Sequence, residues 1–205
     1  MQITCDMLVS KGACTSSLAV FEKQFGKSAD YQAILDFCAE NNRVSDANWL
    51  LDNIGADNSV KEITEPPTTV HVFAAGRLEI KIDLKISGFI KAGKGITAGK
   101  GITAGEGIKA GWGITAGKGI TAGDDITAGD DITAGWGITV SLSIRCRGTL
   151  SAAYRIFAGL CSWKAQPTLA EQEIECGKLK SGTIAYGTLK EIGMPENTTK
   201  ENQNA

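Results

Sequence analysis

Two adjacent acidic pairs are the residues of this chain whose type and spacing most suggest chemistry. Asp124–Asp125 and Asp130–Asp131 lie six residues apart, and carboxylate oxygens are the ligands that calcium prefers. A shared ion would need its ligands at roughly 2.3–2.6 Å. The six-residue repeat around these pairs predicts that they occupy successive corners of a coil, too far apart for that distance. We therefore predict no metal site, and a solvated acidic surface that can contact a partner.

Cysteine and histidine chemistry is also disfavoured. The chain has six cysteines and one histidine, His71, with no Cys-x-x-Cys spacing and no ligand cluster around the histidine, so we predict neither zinc nor a cofactor. We find no nucleophile–base pair in a recognisable setting and no phosphate-binding loop, and predict that the protein is not an enzyme. Three cysteines fall at apolar positions of their segments, which predicts buried, reduced thiols. The cysteines are Cys5, Cys14, Cys38, Cys146, Cys161 and Cys176.

A strict six-residue repeat determines where the two acidic pairs are placed. Isoleucine recurs every six residues from Ile90 to Ile144, in units such as Ile-Thr-Ala-Gly-Lys-Gly at 96–101. Side chains alternate between the two faces of a strand, so Ile and Ala should face a core and Thr should face solvent. The glycines should form corners, because glycine accepts positive φ. Such a short, regular period predicts a β-helix, a solenoid of stacked coils.

The repeat frame extends beyond the perfect units, back to Leu78 and forward to Ile156. We predict a solenoid over residues 70–190, interrupted by an excursion at 161–172. An α-helix is disfavoured because each glycine would cost about 1 kcal/mol. The fold class predicted for the chain is mainly β, a β-helix with a small α-helical N-terminal domain.

The number of hexads in one coil is less directly encoded. Ile174 follows Ile156 by eighteen residues, which favours three hexads per coil and a three-sided solenoid. A coil of two hexads is the alternative. It would align Lys94, Glu106 and Lys118, whose charges alternate in sign.

The two ends of the chain lack the perfect repeat. Residues 1–55 are predicted to form the helical domain, with Ser45 as the N-cap of its third helix. Residues 56–69 contain Pro66–Pro67 and are predicted to be a linker, and residues 191–205 are polar and predicted to be a disordered tail. The apolar stripes that predict the first two helices are Cys14, Leu18, Phe21 and Phe25, and, after Ser28, Tyr31, Ile34, Leu35 and Cys38.

Two tryptophans occupy a slot of the repeat that otherwise holds charged residues. Trp112 and Trp136 stand between the two corner glycines, where Lys, Glu or Asp stands in the other clean units. Exposed aromatic side chains are enriched at binding hot spots. We predict that at least one of the two contacts a partner or a second copy of the chain. The alternative is that each is covered by the helical domain or by the excursion at 161–172.

Charge is unevenly distributed along the predicted solenoid. Residues 91–120 are mainly basic, residues 121–139 hold four aspartates and no basic residue, and basic residues return after 144. Such bands can orient a charged partner. The net charge of −2 favours neither direct nucleic-acid binding nor an anionic membrane surface. Residues 1–6 lack the pattern of an export signal, so we expect a cytoplasmic protein without membrane contact.

The Ile-x-Ala-Gly-x-Gly tracts, for example residues 107–137, resemble those of bactofilin-like β-helix proteins. They also resemble uncharacterised bacteriophage repeat proteins, in which a small helical part precedes the repeats. Bactofilins lack that helical part. Hexapeptide acyltransferases share the six-residue period, but no histidine of this chain lies within the repeat to match their catalytic histidine.

This resemblance implies a phage-encoded protein in the cytoplasm of a bacterial host. We expect a non-enzymatic scaffold that binds a host protein, such as a defence component, and inhibits or redirects it. The alternative is a self-assembling structural protein that stacks the ends of its solenoids into homo-oligomers.

Overall fold

The N-terminal part of the chain is helical in the computed structural model, which describes residues 1–164 and 167–194. Its three predicted helices are present, and helix α1 and the antiparallel pair β1–β2 precede or separate them. The sequence pattern had not predicted these additional elements, which are short. The elements are β1 (Gln2–Thr4), α1 (Cys5–Ser10), α2 (Thr15–Phe25), β2 (Ser28–Asp30), α3 (Tyr31–Glu40) and α4 (Val44–Asn53).

The helix boundaries follow local capping chemistry. The Asp30 carboxylate accepts hydrogen bonds from the backbone N–H groups of Gln32 and Ala33 at 2.9 and 3.3 Å, so α3 begins after Asp30. Helix α4 begins at Val44, which places Ser45 inside its first turn, and the prediction of Ser45 as N-cap is wrong. Helix α2 ends at Gly26, whose φ of 74° is readily adopted by glycine.

The rest of the described chain forms a parallel β-solenoid, as the repeat predicted. Most of its strands are three residues long and separated by three-residue corners. The strands are β3 (Val60–Ile63), β4 (Val72–Ala74), β5 (Arg77–Ile80), β6 (Leu84–Ile86), β7 (Ile90–Ala92), β8 (Ile96–Ala98), β9 (Ile102–Ala104), β10 (Ile108–Ala110), β11 (Ile114–Ala116), β12 (Ile120–Ala122), β13 (Ile126–Ala128), β14 (Ile132–Ala134), β15 (Ile138–Val140), β16 (Ile144–Cys146), β17 (Thr149–Phe157), β18 (Glu173–Cys176), β19 (Lys178–Tyr186) and β20 (Thr188–Glu191).

Within the regular repeats, strands pair with the strands eighteen residues before and after them. Ile108, for example, lies in register with Ile90 and with Ile126. One turn of the solenoid therefore takes eighteen residues there, and a coil of twelve residues is excluded. One sheet of seven parallel strands runs from β4 to β20, one strand from each turn.

The eighteen-residue separation of Ile156 and Ile174, which favoured three hexads per coil in the sequence, does not correspond to a strand pairing. Ile174 does not pair with Ile156: it pairs with Ile144, and Ile156 pairs with Ile138 and Ile184. The segment between β17 and β18, which includes the 3₁₀-helix Leu169–Gln172, lengthens that turn. The eighteen-residue distance between the two isoleucines is therefore not a pairing distance.

The interior of the solenoid is a stack of Ile and Ala side chains. Ile114 and Ala116 are 0% and 2% exposed, while Thr115 between them faces solvent. Cys146 and Cys176 occupy the Ala position of their strands and are buried. All six cysteines are free thiols; Cys38 and Cys161 are also buried, Cys5 is half-buried and Cys14 is exposed. The inward Ile and outward Thr follow from the alternation of side chains along a strand.

The corner glycines are required for a different reason than predicted. Between residues 90 and 148, no glycine has a positive φ. Instead, a Cβ atom on Gly123 would lie 1.8 Å from the carbonyl oxygen of Gly105, and one on Gly129 would lie 1.9 Å from that of Gly111. At most corners the first glycine thus permits close approach of consecutive coils. The second has more room, with 3.3 Å to the nearest atom at Gly119.

The segment predicted as a linker contains the first solenoid strand. Strand β3 pairs in parallel with β5, and Ile63 belongs to the solenoid core. The solenoid therefore begins within residues 56–69. At the other end, β20 stops at Glu191, and residues 195–205 of the predicted disordered tail lie outside the described residues.

The helical part packs on the outer face of the first coils. Phe73 and Ala75 point away from the solenoid core and are buried among the side chains of the helices. The Gln32 side chain donates to the Phe73 carbonyl at 2.9 Å and accepts from the Ala75 N–H at 3.0 Å. The small helical core is thereby completed by solenoid residues, as its size would require.

The inward position of the isoleucines can be tested by a matched pair of substitutions. Ile120→Asp should abolish cooperative thermal unfolding of the solenoid, because an unpaired carboxylate would be buried in an apolar stack. Thr121→Asp introduces the same side chain one residue away, at an exposed position. It should change the free energy of unfolding by less than ~0.5 kcal/mol. Equal melting temperatures of the two variants would contradict the inward assignment of Ile120.

Candidate interaction site

The residues between the corner glycines form columns on the outside of the solenoid. Each donates its backbone N–H to the carbonyl of the residue one turn earlier: Trp112 to Lys94 at 3.4 Å, and Trp136 to Lys118 at 3.2 Å. The two tryptophans therefore lie on different columns, as predicted from their separation. The Trp136 column comprises Lys100, Lys118, Trp136 and Tyr154; the Trp112 column comprises Lys94, Trp112, Asp130 and Gly148; the Asp124 column comprises Glu106, Asp124 and Leu142.

Both tryptophans are half exposed. Trp112 is 50% and Trp136 is 52% exposed. Each indole ring carries a lysine ammonium group from the preceding turn, Lys94 Nζ at 5.0 Å from the Trp112 ring and Lys118 Nζ at 5.5 Å from the Trp136 ring. A cation over the ring face holds the indole against the corner. In the part of the chain that the structure describes, neither the helices nor the excursion buries these rings.

A second aromatic residue adjoins Trp136. Tyr154 is 66% exposed and donates its backbone N–H to the Trp136 carbonyl at 3.1 Å. Arg155, beside it, is also exposed. We call Trp136 and Tyr154 the aromatic ridge. Sequence reasoning missed Tyr154, although it stands eighteen residues after Trp136, because residue 154 lies outside the perfect units.

Two of the four predicted acidic contact residues have a structural role. Asp125 Oδ1 accepts hydrogen bonds from the Ser143 N–H at 2.8 Å and from its hydroxyl at 2.7 Å. Asp131 Oδ1 accepts from the N–H and hydroxyl of Thr149 at 2.5 and 2.9 Å. Ser143 and Thr149 stand one turn later, where the repeat would place a glycine. These carboxylates therefore join consecutive corners.

A related arrangement occurs nearer the N terminus, where Asp83 accepts from a backbone N–H one turn later. Asp83 Oδ1 accepts from the Gly101 N–H at 2.9 Å, and Lys118 Nζ lies 3.0 Å from Asp83 Oδ2. The backbone hydrogen bond, followed by the Lys118 ammonium, lowers the pKa of Asp83. In the sequence, Asp125 and Asp131 stand eighteen residues before Ser143 and Thr149, which replace corner glycines. That spacing could have predicted that the two carboxylates accept hydrogen bonds from the next turn.

The other two aspartates stay available on the surface. Asp124 lies on the Asp124 column and Asp130 on the Trp112 column, so the acidic residues are not gathered at one point. Burial, together with the Asp125 carboxylate, raises the pKa of Asp124. Among the described residues, no three His, Cys, Asp or Glu side chains come together as a metal site would require.

His71 lies between the helical part and the solenoid. Its ring is buried and stacks between Phe73 and Phe89, with ring centroids at 5.7 and 5.8 Å. Its Nδ1 accepts from the Phe89 N–H at 3.0 Å, so Nε2 carries the proton and donates to Asn42 Oδ1 at 2.6 Å. Burial lowers the pKa of His71, which keeps the ring neutral in a packing role.

The last turn of the solenoid exposes apolar side chains. Leu189 on β20, and Ile192 and Met194 after it, are each at least one third exposed. In the described chain, β19 pairs only with β17 and β20 only with β18, so the outer edges of both strands have no strand partner. Unpaired strand edges readily accept a further strand.

No family model, curated protein or solved structure matches this chain. The class is therefore defined by the described fold itself, a parallel β-solenoid with a helical N-terminal part. No helix among residues 1–164 and 167–194 is both long and apolar enough to cross a membrane.

The structural role of Asp125 predicts a specific loss of stability. Asp125→Ala leaves the Ser143 N–H and hydroxyl without their acceptor and should lower the free energy of unfolding by about 1–3 kcal/mol. Asp130→Ala removes an aspartate from the neighbouring surface and should change it by less than ~0.5 kcal/mol. Urea unfolding followed by circular dichroism measures both. Equal losses in the two variants would show that Asp125 does no more than its surface neighbour.

Proposed function

We propose that this protein is a non-enzymatic scaffold that binds another protein through the aromatic ridge. The observation that carries the proposal is that Trp136 and Tyr154 are both more than half exposed, side by side on one column. Large aromatic side chains supply most of the energy of many protein–protein contacts. The fold itself does not require a tryptophan or tyrosine at these two corners, since Lys and Asp stand at equivalent ones.

The architecture favours binding because it holds the ridge rigid. The eighteen-residue pairing supports a three-sided cross-section, with the columns as its corners. Backbone hydrogen bonds on successive turns fix the spacing of Trp136 and Tyr154, and Lys118 covers one face of the indole. Side chains that are already ordered lose less conformational entropy on binding, which increases affinity.

The charges around the ridge indicate the chemistry of the partner. Lys100 precedes the ridge on its column and Arg155 adjoins it. Lys118, between Lys100 and Trp136 on the column, is already paired with Asp83. A partner with an apolar groove bordered by acidic side chains would complement this surface. The resemblance to bacteriophage repeat proteins supports a host protein as the partner, which this protein would inhibit or redirect.

A column-specific substitution tests the proposal. With the partner first identified by cross-linking in a bacterial lysate and then purified, Trp136→Lys should raise the Kd by roughly thirtyfold, equivalent to about 2 kcal/mol. Trp112→Lys removes an equally exposed tryptophan from another column and should leave the Kd within about threefold. Circular dichroism checks that both variants fold. Unchanged affinity in Trp136→Lys would rule out the ridge as the contact.

A second candidate function rests on the last turn. The exposed Leu189, Ile192 and Met194 and the unpaired edges of β19 and β20 support assembly by stacking of solenoid ends. At the opposite end, Pro66–Pro67 stand between β3 and β4, and this part of the first turn cannot donate to a further strand because proline lacks the N–H that strand pairing uses. These features favour a closed pair of chains joined at their C-terminal turns over an extended filament.

Solution mass distinguishes this assembly from the scaffold. Light scattering should show a dimer whose fraction rises with concentration. Leu189→Lys, which places a charge on the terminal turn, should shift the protein to monomer. Thr115→Lys adds the same charge at an exposed position in the middle of the solenoid and should leave the dimer intact. A wild-type protein that is monomeric at all concentrations would refute the assembly.

A further inference from the structure

The helical part contains a cavity of about 280 Å³ that is partly open to solvent. It lies between α2 on one side and α3 and α4 on the other, with residues that follow α1 at its rim. No solenoid residue lines it.

The inner part of the cavity is apolar, although its mouth is open to solvent. The inner wall is formed by buried apolar side chains, among them Leu8, Phe21, Ile34 and Leu50. Water gains few hydrogen bonds against such a wall, whereas apolar molecules bind readily in cavities of this kind.

Aromatic side chains form much of the cavity wall. Of the thirteen Phe, Trp and Tyr residues of the chain, four line it: Phe21, Phe25, Phe37 and Trp49. Phe25 lies 5.5 Å from Phe21 in a tilted arrangement and 5.4 Å from Phe37 edge to face, measured between ring centroids. Phe25, Phe37 and Trp49 are only half buried. A planar aromatic molecule could extend this set of ring contacts, since aromatic rings favour tilted and offset geometries.

The polar residues of the cavity are gathered on one side and balanced in charge. Ser17 Oγ donates to Asp46 Oδ1 at 2.6 Å, and Arg43 forms an ion pair with the same carboxylate. The positive and negative charges are thus already compensated. A hydrogen-bonding group of a ligand can be accommodated there, but an additional charge would compete with the existing pair.

We propose that this cavity binds a neutral, planar aromatic small molecule with one polar group. Its ring system lies among Phe21, Phe25, Phe37 and Trp49, and its one polar group faces Ser17 and Asp46. The site is independent of the aromatic ridge, which is on the solenoid. It gives the helical part a binding role of its own.

Cys14 provides a direct report on occupancy. It lines the cavity and its side chain is exposed. Hydrogen bonding with the Ser16 hydroxyl, which lies 3.3 Å from the sulfur, lowers the pKa of the Cys14 thiol. Burial raises the pKa of Cys38 and Cys146 to about 12. Near pH 7.5 a thiol reagent should therefore react with Cys14 before these buried thiols.

The experiment measures alkylation of Cys14 by iodoacetamide in the full chain, using mass spectrometry, with indole as the probe. At ten times its Kd, indole should slow the reaction about elevenfold, because only the unoccupied fraction reacts. Leu18→Trp fills the cavity and should reduce the protection to less than twofold. Ala19→Trp adds the same side chain at the adjacent exposed position and should retain full protection. Leu18→Phe replaces Leu18→Trp if the latter does not fold.

Two further probes test the proposed ligand class. Hexanol, which is aliphatic, and indole-3-acetate, which carries a negative charge, should each need at least tenfold higher concentrations than indole for equal protection. The proposal is overturned if indole gives no saturable protection of the wild-type protein. It is also overturned if hexanol or indole-3-acetate protects as well as indole, or if the filled variant is protected as strongly as the wild type.

Discussion

The in-register stacking of eighteen-residue turns is the constraint on which the rest of this structure depends. Each turn donates its backbone hydrogen bonds to its neighbours, as Ile114 N–H does to the Asp131 carbonyl at 2.9 Å. Ile and Ala fill the interior at every turn, and the first corner glycine lets consecutive backbones approach closely. Because each turn is held mainly by its neighbours, the outward positions carry little of the folding requirement.

Because the fold depends on the inner stack, the outward residues can differ from turn to turn without changing the fold. A tryptophan, lysine or aspartate at a corner leaves the inner stack unchanged, so the columns can vary while the fold is conserved from turn to turn. The four aspartates of residues 121–139 have two different roles. Asp125 and Asp131 accept hydrogen bonds from irregular corners one turn later, whereas Asp124 and Asp130 make the surface acidic. Each Asp-Asp pair thus contains one aspartate of each role.

The helical part is stabilised by other means. It is too small for an extensive core of its own, and it uses Phe73 and Ala75 of the solenoid to complete one. His71 contributes to this contact as a neutral ring between Phe73 and Phe89. On another side its helices enclose the aromatic-lined cavity. The chain thus offers two separate surfaces, one built on rigid repeats and one built between helices.

The sequence by itself determined the solenoid, the inward Ile and Ala, the outward Thr and the placement of Trp112 and Trp136 on different columns, because a strict period leaves one register that buries the apolar residues. It also predicted α2 and α3 from their apolar stripes, and the presence of α4 but not its N-cap. It did not predict α1 or the capping residue Asp30, which depend on local hydrogen bonds. Only the tertiary structure decided which strands pair around the long turn before β18, and that Ile174 belongs beside Ile144. It likewise decided that the helices leave a cavity. Those outcomes depend on contacts between residues far apart in the chain, and outside the regular repeat no period records them.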